Sequence, residues 1–147
     1  MIRLGVSFSL TTASLILAGW ACAASVSAQL LQDYRCKIDR VATAEANPSR
    51  GSTTIRNSYI GREFTVERRT GLMAGALKNA YVTKPDVIDV GSDRNSFKAV
   101  TTMRLQQGAG YGTNVYVLVV DEFVRSTNKP FVFLENDDLY FGICVHF

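Results

Sequence analysis

A chain with a single histidine has few ways to move protons at neutral pH. That histidine is His146, next to the last residue. Triads, dyads and most metal sites lean on histidine, and here no second one is available. The expectation for His146 is an exposed polar residue on an edge strand. Carboxylates alone can run glycoside hydrolysis when two of them flank one bond. The clustered candidates are Asp121-Glu122 and the group Glu135, Asp137 and Asp138. Adjacent strand residues point to opposite faces, so Asp121 and Glu122 cannot both enter one cleft. Asp and Asn in the second group suit a turn through local hydrogen bonding.

Other spacings invite chemistry and do not sustain it. Ser126 and Lys129 have the Ser-x-x-Lys spacing of penicillin-binding enzymes, but the accompanying Ser-Asp-Asn and Lys-Thr-Gly elements are missing and Pro130 follows at once. Gly108, Gly110 and Gly112 lack the Rossmann spacing and the Walker lysine, and they precede a strand rather than a helix. They read as a flexible hairpin loop with Tyr111 near its tip, which is the candidate binding loop of the chain. Asp89, Asp93 and Asn95 flank Gly91, which falls where an EF-hand needs a ligand. No metal site and no cofactor is expected. Arg62, Arg68 and Arg69 interleave with Glu63 and Glu67, a pattern of cross-strand pairs rather than a phosphate track.

The elements that must position these residues begin after an address segment. Arg3 is the only charge before Asp33, an apolar run follows, and Val26-Ser27-Ala28 fits the small-x-small cleavage rule. Residues 1–28 therefore read as a secretory signal peptide. Serines and threonines break the apolar stretch below the roughly 20 residues of a permanent span. A lipid on Cys22 is disfavoured by Trp20 and Gly19 ahead of it. The expected mature domain is 29–147, with no transmembrane anchor, in a secreted or periplasmic location. Its fifteen basic and thirteen acidic residues exclude the basic excess of a nucleic-acid binder.

Two cysteines remain, Cys36 and Cys144. An even count in an exported chain reads as a disulfide, and its Cα atoms must lie within about 7 Å. The first and last strands are then neighbours or face each other. Between them, alternating runs recur between turn residues: Tyr34 to Ile38, Phe64 to Val66, Leu72 to Leu77 after Gly71, Val87 to Val90, Phe97 to Leu105, Val115 to Val120, Phe131 to Leu134, and Leu139 to Phe147. Ala42 to Asn57 reads as a loop with one helical turn at Val41 to Ala46. The fold class is all-β, a small antiparallel barrel or sandwich of about seven or eight strands.

One conflict stands in the last strand. Leu139, Phe141, Ile143, Val145 and Phe147 share one face, while Cys144 lies on the other with Tyr140 and His146. Either a bulge shifts the register or both faces are covered.

The function expected on these grounds is a non-enzymatic binding or interaction module of the envelope, with a protein or small-molecule partner. Two alternatives follow behind it. One is an inhibitor of a secreted enzyme such as lysozyme, acting through Gly108 to Asn114. The other is a carboxylate-based hydrolase.

Overall fold

The computed structural model describes residues 31–47, 49–108 and 112–147. The expected signal peptide lies outside the described residues, as do Gly110 and Tyr111 of the expected binding loop.

Among the described residues, eight antiparallel strands and one helix are present, and the strands form one curled sheet, a half-barrel. They are β1 (Tyr34–Thr43), β2 (Glu63–Val66), β3 (Met73–Gly75), β4 (Asp86–Val90), β5 (Phe97–Met103), β6 (Asn114–Val120), β7 (Lys129–Glu135) and β8 (Asp138–His146), with one helix, α1 (Arg50–Asn57). The strand order is β3-β2-β1-β8-β7-β6-β5-β4. Two meanders of sequence neighbours, β1–β3 and β4–β8, meet at the long-range pair β1–β8.

The alternation along each strand decides which side is inside. Tyr34, Cys36 and Ile38 of β1 are fully buried, as are Phe97 and Leu118 farther along the sheet. The curl brings distant strands into contact across the interior. Phe64 of β2 meets Phe131 of β7 at 5.1 Å between ring centroids, and Tyr34 of β1 meets Phe97 of β5 at 5.5 Å. Aromatic side chains therefore fill the space that a wider barrel would leave for a ligand.

Cys36 and Cys144 sit directly opposite each other in the β1–β8 register and form a disulfide with Cα atoms 3.9 Å apart. Both are buried, so the bridge lies inside. The conflict in β8 is settled without a register change in that strand. Tyr140, Cys144 and His146 do face inward, and Phe141 and Ile143 lie half-buried on the outer face. The one irregularity of the pair is a bulge in β1 between Ile38 and Arg40. Arginines from β1 cover part of the outer aromatics: Arg40 lies 3.8 Å over the Phe141 ring and Arg35 lies 4.8 Å over Phe147. Gly142 marks the tightest approach in β8. A Cβ there would stand 2.0 Å from the Lys37 carbonyl oxygen, so no larger residue fits.

The sheet's ends, β3 and β4, do not pair. Side chains and turns close the gap. Gly71, at φ +73°, opens the turn into β3 and packs so closely on Ala99 and Val87 that a Cβ would meet them at 2.9 and 3.2 Å. Asn79 is buried beside it, donating to the Gly71 carbonyl at 2.8 Å and accepting from the Met73 amide at 3.0 Å.

The segment 42–57 differs from expectation. β1 continues its ladder with β8 through Thr43, which pairs Asp138. The helix falls later, at Arg50–Asn57, where the Ser49 hydroxyl caps it by accepting from the Ser52 amide. Helix-favouring alanines at 42–46 lose to continued strand pairing, and the serine cap fixes the start.

Candidate functional site

One end of the half-barrel holds a charged cluster built from four elements. Glu122 follows β6 in a tight turn. Its amide donates to the Val120 carbonyl at 2.8 Å, and Lys129 ties the turn by donating from Nζ to the carbonyls of Glu122 and Val124. The Ser126–Lys129 pair is thus part of a turn, and the Ser126 hydroxyl accepts from the Asn128 amide. Asp121 points elsewhere and accepts from the Ser96 hydroxyl.

Three side chains converge on the Glu122 carboxylate. The Tyr34 hydroxyl donates to Oε2 at 3.0 Å. His146 Nε2 lies 2.9 Å from Oε1, and Arg68 lies 3.5 Å from the same oxygen. A carboxylate can only accept, so the proton of this contact sits on Nε2. The His146 ring packs on Tyr34 at 5.0 Å. Burial pushes the Tyr34 phenol far above its usual range; the Arg68 charge opposes this and the Glu122 charge adds to it. Tyr34 is therefore a hydrogen-bond donor at any physiological pH.

Arg68 does a second job. It is buried, and its Nε and Nη2 donate to the carbonyls of Val90 and Gly91 at 2.7 and 3.0 Å. Its own amide donates to Asp33 at 2.9 Å. A side chain just past β2 thus reaches the end of β4 and spans the gap between the unpaired edges.

An open cleft of about 840 Å³ lies over this cluster, lined by Leu31, Gln32, Arg68, Gly91, Ser92, Asp93, Glu122 and His146. Its chemistry is limited by prior commitments. Both Glu122 oxygens are occupied. Among the described residues His146 Nδ1 has no hydrogen-bond partner, and it is buried, so the ring's unprotonated nitrogen does not open onto the cleft. The Ser92 hydroxyl accepts from the amides of Arg94 and Asn95 in a local turn. Asp93 is the one exposed carboxylate in the lining. Among the described residues no group of three or more His, Cys, Asp and Glu is arranged to hold a metal ion.

Two expectations need correction. His146 is not an exposed residue on an edge strand: β8 lies between β1 and β7, and the side chain is only 23% exposed. Arg68 does not pair across its own hairpin: its carboxylate partner is on β6's turn, because the curl brings that turn over β2. Arg69 does stay local, 3.6 Å from Glu67. Asp89 behaves as turn chemistry requires, accepting from the Gly91 amide at 2.9 Å. Gly108 and Gly112 lie outside this cleft.

The opposite end gathers tyrosines. Glu135, two residues past Phe133 on β7, takes the inner face and pairs in register with Tyr116 and Asp138. Burial raises the Glu135 carboxyl above its ordinary value of 4.5, and the neighbouring Asp138 charge adds to the rise. A raised folded-state value means that the protonated form is favoured by folding. That contribution is fully present below the unfolded value and is lost as pH rises through the folded one. Glu135→Gln is therefore expected to raise the thermal midpoint at pH 7 and to lose its advantage as pH falls toward 4. Thermal scans of both proteins across that interval check this; a constant difference would contradict it.

No family model, curated protein or solved structure matches this chain.

Proposed function

We propose that the chain is an exported, non-enzymatic binding module. The observation that carries this reading is the state of the Glu122 carboxylate. Tyr34, His146 and Arg68 occupy it, so the best-placed acid–base group in the cleft serves the fold instead of a substrate. The aromatic interior supports surface recognition over carriage inside the barrel. A cysteine bridge joining first and last strands and the absence, among the described residues, of a helix long and apolar enough to cross a membrane are compatible with export.

The test is a turnover assay on glycan, ester and peptide substrates, run on the wild-type chain, Glu122→Gln and Asp93→Asn. No rate above the blank is expected for any of the three. A glycoside hydrolysis that each substitution abolishes, with the fold intact, would replace the binding reading with a two-carboxylate hydrolase.

A further inference from the structure

The middle of the sheet is apolar on its outer face as well as its inner one. Alternation turns Tyr116, Leu118, Phe131, Phe133 and Tyr140 inward. Every outward position left on these strands, from Val115 to Val119, Pro130 to Leu134 and Leu139 to Val145, is apolar too. Register makes the patch continuous: Val119 pairs Val132, Val132 pairs Phe141, and Pro130 pairs Ile143. Val115 and Val145 are exposed at its margins, and the side chains between them are half-buried. β6, β7 and β8 each have a neighbouring strand on both sides, so their backbone groups are spent in the ladders. The face thus has no hydrogen bond to offer a partner.

Its borders are charged. One cross-strand row runs Arg40–Phe141–Val132–Val119–Lys98, apolar in the middle and cationic at both ends. Arg35 and Lys37 extend the β1 border, opposite Val145 and Ile143. Arg35 and Arg40 lie over Phe147 and Phe141 and make no ion pair with a described residue. The acids of these borders are Glu63, opposite Lys37 on β2, Asp39 in the β1 bulge, Asp86, opposite Val100, and Asp89, 3.9 Å from Lys98. A second copy of the chain fits this pattern poorly. A two-fold along the strands would set Arg40 of one copy over Lys98 of the other, and a two-fold across them would set the two β1 cation rows together. The patch is also small. Three strands about 4.8 Å apart, with outward residues about 6.8 Å apart, give roughly 300 Å², against about 800 Å² per partner in a stable complex.

We propose that this face docks on an anionic lipid surface. A hydrocarbon boundary asks for no hydrogen bonds, which suits a face that has none to give, and the convex side of a curled sheet can settle into it without a shape-matched partner. Arg35, Arg40 and Lys98 reach headgroup phosphates while their stems stay on the apolar border. An acidic protein would meet the cations but not the centre, because a specific protein interface carries about one hydrogen bond per 100–200 Å². The face shares no residue with the Glu122 cleft, so the proposal goes beyond the binding-module reading and does not depend on it.

The experiment is co-sedimentation of the oxidised chain, recovered from its exported fraction, with phosphatidylcholine vesicles made with and without phosphatidylglycerol. Saturable binding is expected on the anionic vesicles, several-fold weaker on phosphatidylcholine alone, and weaker again as salt is raised. Val117→Thr, Val132→Thr and Ile143→Thr together should weaken it at least about tenfold. Threonine keeps the β-branched shape at these outward positions and leaves the core untouched, so the fold should hold, which far-UV circular dichroism checks. Arg35→Gln with Arg40→Gln, two exposed positions, is the second variant; it should cut the preference for phosphatidylglycerol a few-fold and flatten the salt dependence. Sedimentation velocity without lipid should show a monomer. No binding to the anionic vesicles, equal binding with and without phosphatidylglycerol, or full binding by a folded triple threonine variant would overturn the proposal. A wild-type dimer that the threonines dissociate would also overturn it and give the face to a second copy.

Discussion

Replacing Cys36 and Cys144 with serine is expected to lower the stability of the chain by several kcal/mol. The two residues are 108 positions apart, so the bridge closes most of the domain into one loop. For a loop of this order the chain-entropy account gives about 4.7 kcal/mol, and losses of about 2–5 kcal/mol are typical when a native bridge is removed from a small secreted domain. The location adds to the expectation. The bridge ties β1 to β8, the one strand pair that holds the two meanders together. Without it, β1–β3 and β4–β8 are joined by that ladder, the side-chain contacts across the interior and the connecting segment alone. Urea unfolding of the double serine variant against the oxidised chain measures the effect. Coincident midpoints would show that the bridge contributes nothing to stability.

Glu122→Ala should be nearly as damaging through a different cause. The Arg68 guanidinium is buried, and Glu122 is the only carboxylate within ion-pair distance of it among the described residues. Breaking a buried pair by removing one member typically costs about 3–5 kcal/mol, because the surviving charge is left uncompensated. Here the Tyr34 hydroxyl and His146 Nε2 also lose their acceptor. Arg68→Met with Glu122→Gln, removing both charges, should recover a good part of the loss. The double-mutant cycle of Arg68→Met, Glu122→Gln and the pair of them, read by thermal unfolding, isolates the coupling. A pair of single variants whose effects simply add would mean that the two charges do not support each other.

Most of the architecture was legible from alternation and turn residues. The strands from Phe64 onward, the Glu135–Asp138 turn, the hairpin at Gly71 and the Cys36–Cys144 pairing all followed from period-two patterning and cysteine arithmetic. Both clusters at the ends of the half-barrel were not. Glu122, His146, Arg68 and Tyr34 lie far apart in sequence and meet because the sheet curls, and no local spacing encodes a curl. His146 sits near the chain terminus and therefore resembles an edge residue. Only the strand order puts its strand in the middle. Glu135 was visible as a turn acid, but its place on the inner face beside Tyr116 depends on the register of β6 and β7. The glycines of segment 108–112 stand out in the sequence, whereas the tyrosines at 59, 81, 116 and 140 are spaced like ordinary core residues.

The way the two meanders join bears on how the chain reaches this state. β4 through β8 can zip together by successive hairpins, each closing a short loop. β1 has no partner for its inner ladder until β8 has been made, at the far end of the chain. The pairing that holds the halves together is also the one with the largest loop-closure cost, so it comes late and slows the whole process. Until then the free edge of β8 offers its backbone to any extended segment that arrives first. A correct fold thus depends on β1 keeping its β8-facing edge available and close by while the rest of the molecule assembles.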